Sequence, residues 1–415
     1  MADQHYQVES LLAKRDYKRA EVQIARALRS SLDTIDRVHL LLMRSRVRLK
    51  TGRVDEALID LQKVQALNHD MFSEPVVLEL YADCHLLRFE MATVGFADRT
   101  DIARAREIYE RILETASNYR NTGWIHYQLG RVLLTEYRSE EAARRFQTAL
   151  LEPTEVPALT AYCYERLGFI EFYEMRQLER SLHFFNKAVD TYPTAEDPYW
   201  LVQVHILRSR VLRELKHAGD AVAAARTAVD IASAIESRRG LADALLSISE
   251  TLFPFPEYDR ETVPYLQHFI QISRKPLGID VTWARVHEML GDIYYRTGQH
   301  NGALAAYEAA FTYNPYTPWE MSLQYRLAKS AYQAGEYSRA LQALDRMMRG
   351  AKADNENIND YRVYNLLGNC LYALNRFPDA IQAYERAMSL VPPDAPELDQ
   401  IQQYLRVATG FARRV

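Results

Sequence analysis

The side chains of this chain best equipped for chemistry are eleven histidines and three cysteines, and their spacing makes little use of them. Cys84, Cys163 and Cys370 stand far apart, form no CxxC pair and are odd in number. That is no disulfide framework, and it suits a reducing compartment. No phosphate loop, GxGxxG turn, GxSxG elbow or HExxH helix occurs. The nearest approach to a metal motif is His287-Glu288 followed by Asp292, which lacks the second histidine; a solvated helix face accounts for it. Neither catalysis nor a cofactor or metal is expected.

What positions side chains in such a chain follows from its size and composition. A length of 415 residues exceeds what one compact core normally supports, so several domains or a repeat array are expected. Charged residues at 26% and hydrophobic ones at 48% are ordinary, while 15 Gly and 15 Pro are too few for a loop-rich β fold. Helix is the default. The 51 Lys and Arg against 55 Asp and Glu leave a net charge of -4, so no global field draws in nucleic acid or anionic lipid. No apolar run reaches the roughly 18 residues a membrane span needs, and the first residues, MADQHYQVESLL, have no basic region leading into an apolar one. A cytoplasmic protein without membrane insertion is expected.

Self-similarity is the strongest signal. The stretch from Tyr364 to Tyr372, then Asn375 to Ala387 and Pro392, aligns without a gap on the stretch from His287 to Tyr295, then Gly298 to Ala310 and Pro315. Small residues on a first helix (Gly291, Gly368) and a second (Ala303, Ala310, Ala380, Ala387) let paired helices approach, and Leu290, Tyr307, Leu367 and Tyr384 fill the space beside them. The small first-helix position recurs at Ser45, Ala82, Gly130, Gly168, Ser209, Ser247 and Ala328, mostly 37 to 41 residues apart. This pattern resembles the tetratricopeptide repeat (TPR), whose usual unit is about 34 residues. The longer period is similar to that of TPR variants in peptide-sensing regulators and polarity adaptors.

The resemblance implies an all-α, right-handed superhelical solenoid of about ten helical hairpins plus a C-terminal capping helix. The array covers residues 1–395, with units starting near 1, 38, 75, 123, 161, 202, 240, 284, 321 and 361. Insertions fall near 89–101, carrying Phe89, Met91, Val94 and Phe96, and near 253–258, carrying Phe253 and Phe255. Such residues contact a partner or fold back onto the solenoid. Residues 396–415 form the cap. His126, His205 and His287 share the fourth position of a first helix, where the family has a large packing residue, so packing is the reading for them. The cysteines sit beside the small position as buried apolar residues.

In the family the second, fifth, ninth and twelfth first-helix positions line the groove. The resemblance therefore assigns Tyr295, Tyr325, Lys329, Tyr332, Arg362, Asn365, Asn369 and Tyr372 to a partner-binding face. The asparagines, a turn apart, suit an extended peptide backbone, and Lys329 and Arg362 an acidic group. Tyr295, Tyr332 and Tyr372 are either ligand contacts or filler between neighbouring first helices. The chaperone-type carboxylate clamp is not reproduced, since Asn365 stands where its lysine belongs. A second set, Arg46, Arg131, Arg210 and Arg213, makes a basic stripe in which Glu79, Asp83 and Glu165 intervene. An acidic peptide and a structural salt-bridge network both explain it. The function implied is a scaffold or adaptor holding a peptide segment or partner protein; the rival is a regulatory sensor for a signalling peptide or small molecule. Partner identity and oligomeric state are not written in the sequence.

Overall fold

A computed structural model describes all residues except 1, 15, 31, 93–97, 195, 316, 354–357 and 413–415. The side chains of 2–6, 13 and 317–320 are likewise outside it, as are the insertion residues Val94 and Phe96. Among the described residues the chain forms 22 α-helices, one short 3-10 turn and no strand, in two compact units, Met1–Asp197 and Pro198–Val415.

The first unit consists of antiparallel pairs: α1 (Ala2–Ala13) with α2 (Tyr17–Ala27), α3 (Thr34–Lys50) with α4 (Val54–Leu67), and, after the four-residue α5 (His69–Phe72), α6 (Pro75–Met91) with α7 (Arg99–Thr115). Then come α8 (Thr122–Thr135) with α9 (Ser139–Ala149), and α10 (Leu159–Tyr173) with α11 (Leu178–Thr191). The second unit pairs α12 (Tyr199–Glu214) with α13 (Ala218–Ala234), α14 (Arg238–Leu252) with α15 (Asp259–Ile272), and α16 (Val281–Arg296) with α17 (His300–Tyr313). It continues with α18 (Thr317–Gln333) against α19 (Tyr337–Ala353) and α20 (Tyr361–Ala373) against α21 (Phe377–Leu390), and ends in α22 (Leu398–Ala412), packed on α21. Within each unit, successive hairpins stack on one another.

In four of the pairs close approach is set by one glycine and one ring. A Cβ built on Gly368 would lie 2.5 Å from Tyr384, and one on Gly291 would lie 2.5 Å from Tyr307. Phe146 and Phe185 face Gly130 and Gly168 in the same way. Where the small residue is serine, its hydroxyl needs an acceptor: Ser209 Oγ donates to the Ala221 carbonyl at 2.9 Å. The second-helix alanines, such as Ala142, Ala221, Ala303 and Ala380, are fully buried.

Hairpin turns demand a left-handed residue after the first helix. Gly298 and Gly335 supply it at φ 76° and 79°, whereas Tyr137, Arg176, Lys216 and Asn375 adopt positive φ with a side chain attached. In the insertion after α14, Pro256 opens the 3-10 turn Pro256–Tyr258, and Phe253 folds back under Arg296, whose guanidinium lies 4.9 Å from the ring centre. Phe89 packs on the first unit's core and Met91 is exposed. The final helix buries Ile401 and Ala408 against α21 and leaves Gln403, Arg406 and Val407 outward.

Candidate functional site

The eight residues of the expected binding face all belong to the second unit, on α16, α18 and α20, and the structure divides them. Tyr332, Asn369 and Tyr372 converge on a cleft of about 380 Å³, completed by Tyr337, Ala373, Tyr384, Gln403, Tyr404 and Val407. None of these nine side chains is charged. Tyr384 Oη donates to Asn369 Oδ1 at 2.8 Å, which occupies the amide oxygen and leaves both amide N–H groups without an acceptor among the described residues. Tyr332 packs on Tyr337 with ring centres 5.6 Å apart, and Tyr384 lies 5.9 Å from Tyr404. Burial first, then neighbouring tyrosines, push the Tyr332 and Tyr384 hydroxyls up from their ordinary range, so they remain neutral donors. On the other side of Tyr372 stand Phe377 at 5.5 Å and Phe411 at 6.0 Å.

Tyr295 and Lys329 form a pair of their own, with Nζ 4.9 Å from the ring centre. Tyr325 lines a second cleft of about 310 Å³ with Met321, Met347, Ile358 and Val363; burial and then Asp360 push its hydroxyl up to about 12. Arg362 turns to Asp360, donating from Nε at 2.9 Å and Nη2 at 2.7 Å, while Asp360 also caps α20 by accepting from the Arg362 backbone N–H. Its charge is therefore met within its own turn. Asn365 lines neither cleft, and its Oδ1 is buried with no donor among the described residues.

Glu288 and Asp292 correct the expectation of a solvated face. Glu288 is 4% exposed and lies 2.5 Å from Arg326; Asp292 accepts from Arg326 at 3.0 Å and from the Tyr307 hydroxyl. The facing helix α18 brings Arg326 over both carboxylates, tying α16 to α18.

Of the basic set, Arg46 and Arg131 belong to the first unit and Arg210 and Arg213 to the second. Arg46 is exposed. Arg131 pairs with Glu90 and donates to Gln128 at 2.7 Å, and Arg213 stands 3.8 Å from Glu250. Beside Arg131 lies a half-buried acidic pair. Asp83 accepts from Tyr109 at 2.6 Å, Gln128 at 2.8 Å and Trp124 at 3.2 Å, and Glu79 accepts from Tyr119 at 2.6 Å and Asn121 at 2.9 Å. All five donors are neutral. Burial and then Asp83 push Glu79 up to about 7, and burial raises Asp83 as well.

His205 is buried and held to about 4 by desolvation, and His287 stacks on Tyr313 at 5.7 Å, both in packing positions. The three thiols are buried, and burial pushes each of them up.

Residues contributed by α22 were missed by sequence reasoning. Gln403, Tyr404 and Val407 share one helical face, a signal present in the sequence but attributable equally to a solvated cap.

Stacked antiparallel helix pairs, four of them closed by a glycine against a ring, define an all-α helical-repeat protein. Models of the tetratricopeptide-repeat family match residues 288–357 and 361–393, so the chain contains tetratricopeptide repeats. No curated protein matches it in sequence. Among solved structures it is similar to a STAND-class signal-transduction ATPase with a tetratricopeptide-repeat sensor from Pyrococcus horikoshii. The identity is 14% and the TM-score 0.57, over 90% of this chain and 55% of that one, so the chain spans about half the length of that ATPase. The C-terminal part of a TPR protein from Cytophaga hutchinsonii matches at 15% identity and TM-score 0.43, over 65% of this chain and 94% of that one. A TPR protein from Parabacteroides merdae matches at 14% and 0.41, over 69% and 98%. No helix among the described residues is long and apolar enough to cross a membrane.

Proposed function

We propose that this protein is a protein–protein interaction scaffold whose second unit holds an extended, uncharged peptide segment, anchored in the tyrosine cleft between α18, α20 and α22. The observation that carries this reading is the cleft itself: five tyrosines and two amides, with no charged side chain, around about 380 Å³. Ring faces supply contact area at small entropic cost, and amides such as Asn369 can pair with a peptide backbone. Membership of a repeat family built from stacked hairpins is consistent with a holding role, and the arrangement of Tyr332, Asn369 and Tyr372 favours this end of the chain.

The test is affinity capture with the wild-type protein and a Tyr332→Ala/Asn369→Ala/Tyr372→Ala variant, followed by calorimetry on the captured partner's own segments. Loss of the partner in the variant, with helical content intact, is the expected result. Equal recovery with both would remove the cleft from the site. Stabilisation by small molecules with no protein partner would favour the sensor reading.

A further inference from the structure

On the second-helix side of the first unit, α7 and α9 bound another cleft, of about 340 Å³. Leu129 and Leu133 of α8 form its buried floor, Arg106 and Glu110 one wall, and Arg138, Glu141, Arg144, Arg145 and Thr148 the other. Two of the guanidiniums are compensated. Arg106 and Arg138 both reach Glu136, and Arg138 makes a two-pronged contact with Glu141 at 2.7 and 2.6 Å. The other two form no ion pair among the described residues. Arg145 donates from Nη1 to His126 Nδ1 at 3.1 Å, an acceptor that burial and Arg145 itself keep neutral. Arg144 is exposed and makes no ion pair among the described residues, although its charge acts on Glu141 across the same wall, and Glu110 stands exposed at the rim.

An ordinary lattice of surface ion pairs explains Arg138 and Glu141, which are each 44% exposed and contribute little to stability. It does not explain a half-buried guanidinium held in place by a neutral imidazole, whose full charge stays available. We propose that this cleft is a binding site for a phosphate-class dianion. All its cations are arginines, whose planar forks match two phosphate oxygens at once, and two adjacent guanidiniums that form no ion pair among the described residues suit a dianion better than a single carboxylate. The same group can arrive as free phosphate or on a phosphorylated side chain of a partner.

Calorimetry and thermal shift on the full chain at low salt separate these sources. One arm uses inorganic phosphate, the other a phosphoserine peptide beside its unphosphorylated form. Binding that weakens by about tenfold or more in Arg144→Ala/Arg145→Ala is expected, with partial recovery in Arg144→Lys/Arg145→Lys and tightening of about threefold in Glu110→Gln. The lysine and glutamine variants carry the test should the alanine variant fail to fold. Binding of inorganic phosphate identifies the free ion as sufficient, and binding of the phosphopeptide alone identifies a modified partner. Absence of binding to both probes, or affinity that survives the double alanine substitution, overturns the proposal.

Discussion

A single methyl group decides whether a hairpin closes. In Gly368→Ala the added Cβ would meet Tyr384 at 2.5 Å, with the ring already locked by its hydrogen bond to Asn369. Overpacking of this kind costs about 1–3 kcal/mol, and urea denaturation should register a loss in that range. Tyr137 presents the reverse case. It is 91% exposed and sits at φ 60° in a turn where other hairpins use glycine. Tyr137→Gly relieves a left-handed conformation that costs a side-chain-bearing residue about 1 kcal/mol, so a gain of that order is expected in the same measurement. If both variants lose stability, the turn is held by Tyr137 contacts and not strained by its backbone.

Where helices of successive hairpins meet, charge controls the contact. Glu79 of α6 meets Asp83 on its own helix, Tyr119 and Asn121 from the α7–α8 connection and Glu155 beyond α9, while Asp83 in turn meets Tyr109 from α7 and Trp124, Gln128 and Arg131 from α8. Its folded pKa of about 7 lies above the ordinary 4.5, so folding takes up a proton. The resulting stability is fully present below pH 4.5 and is lost as the pH rises through about 7. Wild type should therefore lose on the order of 2 kcal/mol relative to Glu79→Gln between pH 5 and 8. His205 carries the opposite sign, stabilising above pH 6.5 and losing that contribution toward its folded value of about 4, which is why the difference between the two proteins is the quantity to measure. Parallel pH profiles would mean that Glu79 stays ionised.

For the whole molecule, a stack of hairpins distributes stability between neighbours. Ile401→Ala empties a fully buried site between α22 and α21, a loss of about 2–4 kcal/mol. Hydrogen exchange should quicken in α20, α21 and α22 and remain unchanged in α3 through α9; uniform quickening would contradict local coupling. The helical repeat, its small residues and its rings were legible in the sequence because they act at spacings of a few residues, where helix geometry alone brings Gly368 opposite the second helix that carries Tyr384. Glu288 was not legible, because its partner Arg326 comes from the next hairpin and turns an apparently solvated face into a buried one. Nor was the composition of the tyrosine cleft, in which Tyr404 meets Tyr384 and stands 72 residues after Tyr332. Periodicity alone determined which residues pair within a hairpin. Only the stacking of hairpins decided which carboxylates are buried, which of them Arg326 meets and which tyrosines share a wall, because those outcomes depend on elements distant in sequence.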